Sequence, residues 1–235
     1  MDKILVNNSF KYLQRIPEPE LMSDQIQAEA YSNADFDVPH SFITKQLSLR
    51  LPIKFTPRTI LDLGSGPGEM VERLFHFFPK TNFTLLEGSF VMSNLCKNRM
   101  EPKKNFENQF EYLKVMVQEF VPENSFDFVF SNSLLHHMHD PYEFWAAVQR
   151  SVHEDSFVFI ADLLRPDSLD EAHSLVERYA NNEPEILKTD FFNSLCAAFR
   201  KEEIEEMLDK TRLSQKLKWE QITDRHWICY SKPKN

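Results

Sequence analysis

Apolar positions along the chain follow two periods, and the places where one gives way to the other mark its elements. TILDL (59–63) and NFTLL (82–86) are continuous β-branched and aliphatic runs after breakers, the pattern of buried parallel strands. Between them EMVERLFHFF carries Met70, Val71, Leu74, Phe75 and Phe78 at helical spacing and stops before Pro79, which predicts a helix. FDFVF (126–130) and SFVFIADLL (156–164) are further strand-sized runs. Near the N-terminus, Asp24 and Gln27 stand at N-cap and N3 spacing ahead of Ile26, Ala30 and Tyr31, and a second helix from about Pro39 places His40, Ile43 and Leu47 on one face.

Composition narrows the class. A chain of 235 residues, 42% hydrophobic and 27% charged, fits one α/β domain with embellishments. Its apolar runs are too short to span a bilayer, and the N-terminus offers only ILV (4–6) where a signal peptide needs an apolar core, so a cytoplasmic protein is expected. Cys96, Cys196 and Cys229 form no CxxC pair and are expected as reduced thiols. The net charge of -9 repels phosphate backbones, which argues against a nucleic-acid substrate.

The glycines are the most informative residues. At average usage a chain this long holds roughly sixteen, but this one has 4, at positions 64, 66, 68 and 88. A sequence that turns elsewhere without glycine needs backbone bare of side chains at LDLGSGPGEM. Strand, glycine turn and helix make half of a nucleotide-binding unit, and Glu87, ending the next strand, can accept hydrogen bonds from both hydroxyls of a ribose. The dinucleotide fingerprint requires glycine at 69, where this chain has Glu69, an anion beside the place of a pyrophosphate. NAD is therefore disfavoured.

The spacing G-x-G-x-G with Asp62 before it resembles the first motif of class I S-adenosylmethionine-dependent methyltransferases, and the resemblance runs from about residue 20 to the end. It implies a Rossmann-like, doubly wound, mostly parallel seven-stranded sheet, with 126–130 and 157–164 as strands four and five, a helix at 201–208, and a closing antiparallel hairpin of 217–222 and 226–230. HEDS (153–156) replaces the family's usual Pro-Gly-Gly before strand five and is expected as a loop. The cofactor implied is S-adenosyl-L-methionine, contacted by Tyr31, Asp62, Gly64, Ser65, Gly66, Gly68, Glu87, Gly88, Ser89, Val117, Gln118, Ser133 and Leu134. The chain looks most like the small-molecule branch, in which residues 1–52 and an insertion at about 167–200 form a lid on a core of 53–235. A homodimer is compatible with this reading; a non-catalytic cofactor-binding subunit is the alternative, disfavoured because the glycine loop, the ribose acid and the polar loop after strand four are all present.

For the acceptor, His40, Arg165, Tyr179, Asp190 and Asn193 are the candidates; Arg165 can instead pair with Asp162, and Tyr31 can instead be a core aromatic. NSLLHHMHDP (132–141) gathers three histidines. Offsets of one, two and three do not match the i, i+4 ligand pair of a helical metal site, and no Cys or Glu completes a set with useful spacing, so no metal is expected. Methyl transfer needs alignment and, for an oxygen or nitrogen nucleophile, a base. His136 and His137 are the candidates, one facing the pocket because neighbours in extended chain point to opposite sides. His139 is expected at the surface, at the entry to the helix that Asp140 and Pro141 open.

Overall fold

The computed structural model describes residues 12–105 and 109–233; the ILV run at 4–6 lies outside them. In chain order the elements are α1 (Gln25–Asn33), α2 (Asp37–Ser48), β1 (Thr59–Leu63), α3 (Glu69–Phe77), β2 (Asn82–Leu86), α4 (Phe90–Met100), β3 (Phe110–Leu113) and β4 (Phe126–Asn132). There follow α5 (Pro141–Ser151), β5 (Val152–Leu163), α6 (Leu169–Ala180), α7 (Glu185–Ala197), α8 (Lys201–Lys210), β6 (Leu217–Gln221) and β7 (His226–Ser231).

The strands form one seven-stranded sheet in the order β3-β2-β1-β4-β5-β7-β6. β1 to β5 pair in parallel, and β7 runs antiparallel to both β5 and β6. Chain order reverses between β1 and β4, so their C-terminal ends open a crevice where open α/β sheets bind ligands. The continuous apolar runs are explained by burial on both faces. Leu61, Val129 and Ile160 pack with Trp145, Val148 and Ile204 on one side, while Ile60, Phe128, Phe130 and Phe159 pack with Val71, Leu74 and Phe83 on the other.

One expectation is corrected here. HEDS is not a loop: β5 begins at Val152 and carries these residues past a register shift opposite Phe126 and Phe128. In α2, Ile43 and Leu47 are buried in the core beside Ile60 and Phe83. The Asp24 cap does form, its carboxylate accepting from the Gln27 N–H at 2.8 Å. Between β5 and α8, helices α6 and α7 make a separate small core of Leu163, Leu175, Val176 and Leu195.

Candidate functional site

The cofactor half is built by the turn after β1. Gly64, Gly66 and Gly68 all have positive φ, of 77°, 52° and 85°, a backbone state that side chains resist. Their surroundings differ. A Cβ on Gly64 would press on Leu134, and one on Gly68 would strike Cys96, so these two allow the loop to pack on β4's exit and on α4. Above Gly66 lies open space, and its N–H donates to Glu87 Oε2 at 2.9 Å. The other Glu87 oxygen accepts from the Ser89 N–H at 2.8 Å. Burial raises the Glu87 pKa against those two bonds.

Asp62 lies beneath the turn, 1% exposed, and its Oδ1 has no hydrogen-bond partner. Burial, and then the nearby Glu87 carboxylate, push its pKa up to about 8. An orphaned buried carboxylate oxygen beside a bare glycine turn suits a cationic amine, and Glu87 keeps acceptor capacity for hydroxyls. The residues thus fit an amino-acid-bearing nucleoside. Val117, Gln118, Met116 and Leu134 wall the same cavity, and Ser133 turns the chain there with φ 58°. Ser89 caps α4, accepting from Met92 N and donating to the Met22 carbonyl.

An extended strap at 12–22, which carries no periodic signal, crosses both halves of the crevice. Arg15 fastens it, donating from Nε to the Ala197 carbonyl and from Nη2 to those of His136 and Met138, with its guanidinium 4.2 Å from the Phe199 ring centroid. Glu20 accepts from Gln118 Nε2 and the His139 N–H, and His139 Nε2 lies 3.0 Å from the Glu18 carbonyl, so His139 ties the strap down. Leu21 covers Gly88, where an added Cβ would come within 2.7 Å of Leu21 and of Met116. Under it a cavity of about 30 Å³ remains, an order of magnitude below the roughly 300–1,000 Å³ of small-molecule sites. Ligand entry on this side requires Leu21 to move.

The acceptor half begins at the short 3-10 turn Leu135–His137. Because this turn is not extended, the two imidazoles do not point to opposite sides: their centroids are 4.2 Å apart and both face Glu18 of the strap. Asp162, the one acid in the apolar run of β5, is 2.5 Å from His136 Nδ1 and accepts the His136 N–H at 3.2 Å. Burial opposes charge on His136, but Asp162 and then Glu18 outweigh it and raise the pKa. For His137, burial and the neighbouring His136 lower it to about 3, keeping the ring neutral. Glu18 is raised by burial, although His136 and a hydrogen bond from Ser194 oppose the rise. Tyr31 joins this group: burial and then the Glu69, Asp162, Asp190 and Glu18 carboxylates hold its phenol neutral. Asp190 accepts from Gln27 at 2.8 Å and keeps Oδ2 without a partner.

Other candidates are engaged elsewhere. Arg165 donates to the Leu13 and Ala198 carbonyls and to Glu203 rather than to Asp162. Tyr179 bonds Asp224 and is covered by the Arg225 guanidinium, which joins α6 to the β6–β7 turn. Asn193 is exposed. His40 bonds Glu69 at 2.8 Å, which links α2 to the start of α3. Arg15, Glu18 and Glu20 were missed because a single extended segment leaves no period to read. Asp162 did leave one signal, a carboxylate inside the otherwise apolar run 157–164.

No curated protein sequence matches the chain. Residues 61–160 match the methyltransferase domain family. Among solved structures, the plantazolicin methyltransferase BpumL in complex with SAH is similar at TM-score 0.64 and 17% identity, over 88% of this chain and 90% of that one. A SAM-dependent methyltransferase from Aquifex aeolicus aligns at 0.62 and 14%, over 87% and 97%. The mitomycin 7-O-methyltransferase MmcR aligns at 0.60 and 16%, over 87% of this chain and 57% of its own. The chain has the Rossmann-like fold of these S-adenosylmethionine-dependent methyltransferases, and its segment 61–160 is similar to their methyltransferase domain.

Proposed function

We propose that the chain is an S-adenosyl-L-methionine-dependent methyltransferase acting on a small-molecule acceptor inside the cell. The observation that carries this is Asp62: a buried carboxylate with an unpartnered oxygen, set beside the Gly64–Ser65–Gly66 turn and Glu87 within the methyltransferase-matched segment. Asp62 would hold the cofactor's amino group, Glu87 its ribose hydroxyls, and Met116, Val117 and Gln118 its base. Bound there, S-adenosylmethionine supplies a methyl group already activated on a sulfonium.

What remains for the protein is to align the acceptor, exclude water and take up a proton. The strap and α7 enclose the acceptor side, which favours a small molecule over a macromolecule. His136, oriented by Asp162, lies with Glu18 to orient the acceptor's O–H, N–H or S–H and receive its proton, beside the neutral ring of His137. Tyr31 and Asp190 supply further polar contacts. The test is calorimetry with S-adenosylmethionine, followed by a screen for S-adenosylhomocysteine release over small molecules bearing oxygen, nitrogen or sulfur nucleophiles. Micromolar cofactor binding and turnover of at least one acceptor are expected; absence of cofactor binding overturns the reading.

A further inference from the structure

Glu18, His136 and His137 converge with lone pairs facing one another. His136 presents Nδ1 to Asp162, which directs its Nε2 lone pair to Glu18 Oε1, 3.5 Å away. His137 presents Nδ1 to the same oxygen at 3.3 Å, and that nitrogen has no hydrogen-bond partner. Both separations exceed the roughly 2.7–3.2 Å of a protein hydrogen bond. They match the edge, about 3.3–3.4 Å, of a tetrahedron whose metal–ligand bonds are about 2.0–2.1 Å. The three atoms lie within 4.8 Å of one another, so one point lies within metal–ligand reach of all three.

The surroundings have the form of a metal site's outer shell. A carboxylate holding the far nitrogen of a ligand histidine fixes its tautomer and raises its basicity, which is the arrangement of Asp162 and His136. Glu18 is positioned from two sides, by Ser194 donating at 3.0 Å and by Arg15 anchoring the strap to the carbonyls of His136 and Met138. Two imidazoles and one carboxylate select a borderline transition ion over magnesium or calcium. Three protein ligands leave a position open, the mark of a working rather than a purely structural site.

We propose that Glu18 Oε1, His136 Nε2 and His137 Nδ1 bind one divalent transition-metal ion of the zinc class. Its use rests on the methyltransferase reading, where the open position would take the oxygen or sulfur of the acceptor and the ion's charge, in place of a free imidazole, would ease loss of its proton; its binding does not. The spacing within 136–139 gives no sign of this set because the third ligand comes from the strap.

The test uses the full chain stripped with chelator, titrated with Co(II) and followed by its visible ligand-field absorption, with Zn(II) as competitor. One Co(II) per chain is expected, with intense low-coordinate bands that Zn(II) abolishes. Glu18→Gln, His136→Ala and His137→Gln each weaken binding at least 100-fold, and Asp162→Asn weakens it about 10–100-fold as an outer-shell partner. Zn(II) should raise the Tm of the wild-type chain but not of His137→Gln, a readout that holds even if the His136 variant folds poorly. Sub-stoichiometric binding, or binding indifferent to Glu18→Gln and His137→Gln, overturns the proposal. Calorimetry with S-adenosylmethionine on the same samples separates the readings: cofactor without metal defeats only this one, and metal without cofactor defeats only the one above.

Discussion

Asp162 holds His136 from two directions, taking the Nδ1 side of its ring at 2.5 Å and its backbone N–H at 3.2 Å. One strand-end carboxylate therefore sets both the place of the 3-10 turn and the orientation of its first imidazole. Asp162→Asn keeps the size and one acceptor but removes the charge. Methyl-transfer kcat should fall about 100-fold or more, within the range assigned to positioned proton-transfer groups, while KM for the cofactor stays within about twofold. An unchanged kcat in a variant with native circular dichroism would show that the contact only packs the turn.

The pKa of Asp62 stands at about 8 against an ordinary 3.8. Its charged form holds a cationic amine better than its neutral form, so cofactor affinity should strengthen as pH rises toward about 8, above which the amine loses its own proton. Folding runs the other way. A carboxyl raised in the folded state makes that state bind more protons than the unfolded chain, so stability without cofactor is lost as pH climbs from about 4 to 8. Asp62→Asn should bind cofactor at least 10-fold more weakly, without the gain in affinity on approach to pH 8, and melt at higher temperature than the wild type at pH 8. A variant that binds with wild-type affinity and pH profile would remove Asp62 from the site.

Arg15→Ala removes three hydrogen bonds to carbonyls at part-buried positions. The strap should loosen by about 1–3 kcal/mol, the cost of leaving such groups unpaired. Hydrogen exchange across 13–22 should rise, with the global Tm lowered by only a few degrees. Exchange rates equal to wild type would show that Glu18, Glu20 and Met22 hold the strap unaided.

Gly88 has an ordinary φ, so alanine there meets no backbone strain; it meets the ends of Leu21 and Met116. Gly88→Ala should fold normally yet raise strap exchange and weaken cofactor binding several-fold. Leu21→Ala should restore much of the loss in the double variant, with a coupling energy of about 0.5–3 kcal/mol. Purely additive effects would place Leu21 away from Gly88 in solution.

The sheet and the glycine turn were legible because their signals are local. Buried parallel strands write continuous apolar runs, the glycine turn concentrates three of the chain's 4 glycines, and Glu87 follows its strand directly. The acceptor half depends on pairs far apart in the chain. Glu18 means nothing until the strap lies across His136, and Arg165 reads as ligand-facing until Glu203 and the Leu13 carbonyl surround it. The period of α2 shows an apolar stripe at Ile43 and Leu47 but not what the stripe meets. The two histidines were assigned opposite sides because a 3-10 turn at a strand exit writes no period of its own.

The strap carries Glu18 to one half of the crevice and Leu21 to the other, only three positions apart. A segment that short and that firmly anchored cannot uncover one half and leave the other sealed. Entry and departure on both sides then share a single gate, and the frequency with which it lifts sets an upper limit on turnover however fast the bond-making step becomes.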